Sequence, residues 1–419
     1  MKKRKEMNEK KMQGSVALPA ENRDRLWTKD YVFVCMANFM MCFAFYMLVP
    51  TLPFYLVEVF GASKTVVGIV LSCYTVAVLL VRPFSGFLAD AFSRKPVYII
   101  AYFFFVSIFV GYLLAGTLLL FTILRVFHGM AFGTVTTTGN TVVIDVMPSS
   151  RRGEGLGYYG VMNNLAMSMG PMIGLFISTG GDFDTIFMTS IISGSIGLIF
   201  ALSVHVPRKI PQTNNKIWSV DRFFLTQGIP ACLSLLLLAI PYGMTTTFIA
   251  MYASELGLTA NTGLFFTVMA VGLIVSRIGS GKRVDRGLIT QVIRQGMYIL
   301  LIGLVCEAVL GAAASWSIAL AYGVYFAAAF FIGFGYGTLF PAYNTLFINL
   351  APNNRRATAN ATYLTGWDVG IGIGMFFGGN IAQHYGFVTV YRVDVLLALL
   401  SLIWFTYYVT AHFNRHKVR

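Results

Sequence analysis

Charge is scarce in this chain. Asp, Glu, Lys and Arg make up 11% of the 419 residues against 57% hydrophobic ones, and mean hydropathy is +0.71. Soluble domains carry about 25% charged residues, so the deficit excludes a water-soluble globular fold. Acidic residues are the scarcest, 17 against 31 Lys and Arg. The resulting net charge of +14 does not describe a nucleic-acid-binding face. The basic residues sit in short caps between apolar runs, not along one continuous surface. Cysteine is sparse too. Cys35, Cys42, Cys73, Cys232 and Cys306 all lie in apolar runs, without a CxxC pair or a Cys/His cluster at metal spacing. They read as small packing residues, which leaves no disulfide framework and no metal site. No Ser/His/Asp constellation points to an enzyme, and no cofactor motif is present. Gly333-Phe334-Gly335-Tyr336-Gly337 lies inside an apolar run with no strand before it, so a dinucleotide loop is excluded. A signal peptide is not expected either, because the first apolar run is too long and lacks a small-residue cleavage site.

What the chain does have is apolar runs of bilayer length. Twelve are present, with cores near 31–57, 65–89, 97–115, 118–144, 156–179, 185–205, 223–253, 262–281, 288–311, 316–348, 357–381 and 387–411. A helical crossing needs about 20 residues, so the chain reads as all-α and polytopic, with a lipid bilayer as its solvent. Residues 1–30, with nine Lys and Arg, read as a disordered basic tail. The longest internal polar gap, 207–222, divides the rest into six-helix halves at 31–206 and 223–412, with a second tail at 413–419. With the N-terminus inside, 26 of the 31 Lys and Arg fall in the tails and inner loops, and only Lys64 lies in an outer loop. The positive-inside rule therefore predicts that both termini are cytoplasmic.

The halves repeat one another. Gly68, Arg82, Gly86 and Asp90 recur as Gly263, Arg277, Gly281 and Asp285 at an offset of 195 residues. Further along, Gly129, Gly133, Asn140, Pro148, Arg151, Arg152, Gly170 and Gly174 recur as Gly333, Gly337, Asn344, Pro352, Arg355, Arg356, Gly374 and Gly378 at an offset of 204. Parallel six-helix repeats are the mark of one transporter architecture, with the substrate path between them.

These segments resemble the major facilitator superfamily. Gly86, Leu88, Ala89, Asp90, Arg94 and Lys95 match its signature loop between helices 2 and 3, G-x-L-A-D-r-x-G-R-K, while Ala91 and Ser93 depart from it. Arg125-Val126-Phe127-His128-Gly129 resembles a second signature, in helix 4. Gly170-Pro171-Met172-Ile173-Gly174 is similar to the G-P-x-x-G segment of the family's antiporters, and helix 11 has Gly374-Met375 at the repeat position, without the proline. The likeness is greatest to bacterial drug/proton antiporter-type exporters. It implies two pseudo-symmetric six-helix bundles (the major facilitator fold), alternating access, a small-molecule substrate with protons as partners, a monomer, and residence in the bacterial inner membrane. Uptake of a nutrient such as a sugar, and a non-transporting receptor or sensor, remain the alternatives. The lack of a sizeable soluble domain argues against the receptor.

Within this frame each polar residue in a span has a functional and a structural reading. Gly86, Asp90, Arg94, Lys95 and Asp145, with the repeat residues Arg277, Gly281 and Asp285, read as a gating latch or as a topological stop. Asp368, near the middle of helix 11, reads as a proton carrier, charged in one access state and neutral in the other, or as a structural acid paired with Arg or an amide. Arg125 reads as a second proton-coupling candidate, a cavity cation that tunes a nearby carboxylate or binds an anionic group, or as a snorkelling side chain. Asn38, Tyr46, His128, Asn163, Asn164, Tyr242, Asn344 and Trp367 are substrate-cavity candidates, or else make interhelical hydrogen bonds worth about 0.6 kcal/mol each. Glu307 and Asp394 sit in helices 9 and 12, peripheral supports in the fold the chain resembles. Pro50, Pro53, Pro171, Pro241 and Pro341 are expected to break or bend spans.

Overall fold

The computed structural model describes residues 25–148, 151–178, 181–206, 225–258, 262–352 and 355–418. The expected basic tail and the 207–222 linker lie almost wholly outside these residues. So do the side chains of Gly86, Asp90 and Asp285.

Among the described residues, twelve long helices follow in order. They are α1 (Lys29–Leu48), α2 (Lys64–Ala91), α3 (Arg94–Leu113), α4 (Leu118–Val146), α5 (Arg152–Ile177), α6 (Phe183–Ser203), α7 (Ile229–Glu255), α8 (Leu264–Asp285), α9 (Ile289–Trp316), α10 (Ile318–Asn349), α11 (Arg356–Tyr385) and α12 (Phe387–Trp404). After a break at Val49–Thr51, α1 resumes as Leu52–Phe60. At its far end α12 runs through a π turn, Phe405–Val409, into Thr410–His416. Among the described residues, ten helices are long and apolar enough to cross a membrane by themselves, and α8 contributes the apolar stretch Leu264–Arg277. The remaining long helix, α11, carries Asn360, Thr362 and Asp368.

Local chemistry sets several boundaries. The hydroxyls of Thr28, Ser63 and Thr117 accept from the backbone N–H of Tyr31, Val66 and Leu120, capping α1, α2 and α4. Pro53 starts the continuation of α1, which ends at Gly61 with φ +61°. Pro171, Pro241 and Pro341 lie inside α5, α7 and α10.

Packing follows the repeat. In the first half α1 packs on α5 and α6, α2 on α4, and α3 on α4 and α6. In the second half α7 packs on α11 and α12, α8 on α10, and α9 on α10 and α12. Each pairing in one half has its counterpart six helices later. The seams between halves obey the same operation, α2 against α11 and α8 against α5. Repeated glycines make the close approaches. A Cβ on Gly129 would strike the Tyr74 carbonyl of α2, and one on its counterpart Gly333 would strike the Met269 carbonyl of α8. Gly174 approaches the Met47 carbonyl of α1, and Gly374 the Ile240 carbonyl of α7. Without a hydrophobic drive between helices in lipid, such small-residue contacts let backbones gain van der Waals contact. Outward stripes at helical spacing, Ile192, Ile196 and Ile199 on α6 and Ile302, Val305 and Val309 on α9, are exposed. These are the faces a bilayer would cover.

Candidate substrate path and gating site

Two kinds of side chain meet where the halves touch: charges on the seams and aromatic rings beside them. On the seam between α2 and α11, Arg82 and Asp368 form an ion pair, with side chains 23% and 19% exposed. The repeat equates Arg82 with Arg277 and Asp368 with Asn164. The pseudo-symmetric seam, α8 against α5, thus offers a cation and an amide instead of an ion pair. Arg277 is half-buried there, and its Nε has no partner. Among the described residues, the ion pair that protonation would break lies on the α2–α11 seam.

Beside Asp368 stands a ring cluster in the second half. The Trp367 indole lies 4.8 Å from Tyr242, 5.8 Å from Tyr336 and 4.6 Å from Phe340, centroid to centroid. The Tyr242 hydroxyl reaches across to Met167 Sδ of α5 at 2.9 Å. From α1, Tyr46 packs by its backbone and Cβ on Gly170. Asn163 and Asn164 are half-buried on α5. Asn344 Nδ2 donates to Asn360 Oδ1 at 3.3 Å, joining α10 to α11. Asn38 is buried on α1, where its Oδ1 accepts from Cys42 Sγ at 3.7 Å and its Nδ2 is unpartnered.

Arg125 and His128 form a separate group inside the first half. The Arg125 guanidinium carbon stands 4.3 Å over the Tyr74 ring, a cation–π contact. The residue is 3% exposed, and its Nε and Nη1 have no partner. His128 is fully buried; its Nδ1 lies 2.9 Å from the Tyr112 hydroxyl, and Phe105 and Phe109 wall its ring. Those neighbours all belong to α2 and α3, apart from the Trp367 cluster.

At the end carrying the α2–α3 loop, Arg94 pairs with Asp145 of α4, whose side chain is 1% exposed. Lys95 Nζ donates to the Leu202 carbonyl at the end of α6 at 2.9 Å. The signature cations thus brace the first half internally. Gly281, the counterpart of Gly86, has no atom within 4 Å of where a Cβ would stand.

The opposite end is closed by Lys64. Its Nζ lies 2.5 Å from Glu255 Oε1 at the end of α7 and 4.4 Å over the Phe387 ring of α12. Its backbone N–H donates to Gln383 Oε1 of α11 at 2.9 Å. Nearby, Gly68 abuts Phe376 and Gly379, and Gly263 abuts Met172. The role of Lys64 was not anticipated from the sequence. The available signal was its position as the lone cation of the outer loops.

A paired-repeat helical bundle with a charged seam is consistent with more than one transporter lineage, and sequence comparison decides. The model of the Major Facilitator Superfamily matches residues 34–326 and 297–419. The chain belongs to the major facilitator superfamily. It is therefore a multi-pass membrane transporter, not an enzyme. Among its superfamily relatives, the staphylopine export protein of Staphylococcus aureus (strain Mu50 / ATCC 700699) is 22% identical over 366 residues, 82% of this chain and 87% of that protein. The quinolone resistance protein NorA of Staphylococcus aureus (strain MRSA252) is 28% identical over 222 residues, 49% of this chain and 54% of that protein. In fold, the chain is similar to the nucleoside transporter NupG, with a TM-score of 0.66 at 15% identity, over 91% of this chain and 98% of that one.

Proposed function

We propose that this major facilitator protein is a proton-coupled exporter of small amphipathic organic solutes, working by alternating access in the bacterial inner membrane. The observation that carries the reading is the Arg82–Asp368 ion pair, which spans the two halves on the α2–α11 seam and has no counterpart among the described residues of the α5–α8 seam. A charge inside a span is tolerated when it is paired, as these two are. A proton on Asp368 removes the attraction, and α2 is then free to part from α11. Loss of that proton restores the pair and favours closure. The Lys64 contacts close the other end of the same seam, and with both termini cytoplasmic that end faces outward. Rocking about the α2–α11 and α5–α8 seams would break the Lys64 contacts and expose the Trp367 cluster outward. The names of the two relatives, an export protein and a resistance protein, favour outward transport.

The rings of Tyr242, Tyr336, Phe340 and Trp367, with Met167 facing them, suit an apolar or aromatic portion of the substrate. Trp367→Ala is expected to raise the apparent KM for such a solute about tenfold, the equivalent of about 1.4 kcal/mol, with kcat changed less. Titrating the rate of flux against solute concentration checks this. Unchanged KM across a panel of aromatic and aliphatic amphiphiles would remove the cluster from the binding site.

Lys64→Gln is expected to weaken closure of its end without unfolding the protein, because an exposed ion pair contributes only about 0–1 kcal/mol. Alkylation of a cysteine placed at Ser63 should become faster in the variant. An unaltered labelling rate would mean that Lys64 does not hold this end shut. The reading as a whole is tested by counterflow in proteoliposomes with an imposed pH gradient. Solute leaving against the gradient's proton entry supports it; solute entering with protons would make the protein an uptake symporter.

A further inference from the structure

A second polar cluster lies in the C-terminal half, away from the Arg82–Asp368 seam. Glu307 of α9 and Asp394 of α12 are both fully buried. Glu307 Oε2 accepts from the Thr245 hydroxyl of α7 at 3.0 Å. Its Oε1 has no partner, nor has either oxygen of Asp394. Tyr391 precedes Asp394 by one turn on the same face of α12. It is fully buried, its hydroxyl is unpartnered, and its ring stacks 5.1 Å from Tyr252 of α7. The two carboxyls lie within electrostatic reach of each other, and Tyr391 within reach of both.

The surrounding helices bring no countercharge among the described residues. From α10, Tyr325 and Tyr336 face the cluster, with hydroxyls already donating to the Thr262 and Leu238 carbonyls. From α7, Tyr252 packs against Gly311. Arg392 of α12 is exposed, and Lys64 is engaged with Glu255. Two carboxylates buried without a countercharge are prohibitively costly, so a positive charge has to accompany them. The free atoms are all hard oxygens, which suit a proton or an alkali cation and not a soft metal.

We propose that Glu307, Asp394, Thr245 and Tyr391 form a small-cation site, for a proton or a sodium ion, independent of Asp368. The site ties α9 and α12, otherwise peripheral, to α7. Its occupancy therefore bears on the helix that carries Glu255 at the closed end and Tyr242 in the ring cluster.

The test is infrared spectroscopy of the purified full-length protein in nanodiscs, from about pH 5 to about pH 9, in sodium chloride and in choline chloride. The wild type should show a protonated-carboxyl C=O band that is lost as pH rises, or that sodium displaces and choline does not. The first outcome identifies the cation as a proton and the second as sodium. In the Asp368→Asn background, where the seam carboxyl contributes no band, Glu307→Gln and Asp394→Asn should each abolish that change, and Asp394→Glu should retain it, which covers the case in which the amide variant fails to fold. Asp368→Asn should leave the change in place, so this result stands whether or not the transport reading does. A band insensitive to both pH and sodium would mark a permanently protonated structural pair and overturn the proposal. So would a change that survives in both Glu307→Gln and Asp394→Asn when each is combined with Asp368→Asn.

Discussion

Asp368→Asn is expected to lower proton-driven flux at least about 100-fold, a loss of about 2.7 kcal/mol, while the protein still inserts. The amide has the size of the carboxyl but cannot take up and release a proton. It also leaves Arg82 without its anion across the α2–α11 seam. Arg82→Gln leaves the opposite orphan. Asp368 then no longer feels a cation from α2, and flux should lose its dependence on the pH gradient as well as most of its rate. Removing one member of a charged pair is more disruptive than removing both. The double variant Arg82→Gln/Asp368→Asn should therefore regain thermal stability toward the wild type without regaining coupled flux. Flux in proteoliposomes and melting in detergent, measured on the same preparations, separate the two effects. A double variant as unstable as the worse single one would mean that the two side chains act independently.

The second large effect concerns assembly. Gly333→Ala places a methyl against the Met269 carbonyl, and Gly174→Ala places one against the Met47 carbonyl. Both obstacles are backbone, so no side-chain rotation relieves them. Overpacking of this kind costs about 1–3 kcal/mol, occasionally more. These sites lie toward the upper end, because a whole helix has to move away. Gly281→Ala is the internal control, since nothing stands within 4 Å of its added methyl. The expected order of melting temperature in detergent is wild type close to Gly281→Ala, with Gly333→Ala and Gly174→Ala well below. Similar melting of all three variants would contradict the close-packing account of the repeat.

The fold was legible because bilayer physics is written in one dimension. Apolar runs of bilayer length give the helices, and the offsets between Gly129 and Gly333, or Gly170 and Gly374, anticipate that equivalent helices make equivalent contacts. The order of the helices and their pairing bear both out. The site was legible one residue at a time. Asp368 stood out because a carboxyl in mid-span is costly, but the cost does not name the partner. Arg82 was visible as half of a repeat, and nothing in a linear pattern brings α2 against α11. Lys64 sits in a short loop, where a single cation usually has no consequence; its three contacts come from three different helices of the other half. Glu307 and Asp394 were visible as charges on peripheral helices, and only the packing of α7, α9 and α12 makes them neighbours. Asp90 and Asp285, around which the signature loop was read as a latch, lie among the side chains the structure does not describe. The contacts of Arg94 with Asp145 and of Lys95 with Leu202 are internal to the first half.

The central claim is that protonation of Asp368 governs separation of the two halves. Spin labels at Ser63 and His384, one on each half at the Lys64 end, read that separation directly by electron–electron resonance. The account predicts a short distance at alkaline pH that lengthens on acidification in the wild type, and a distribution that no longer responds to pH in Asp368→Asn. A pH response that persists undiminished in Asp368→Asn would contradict it.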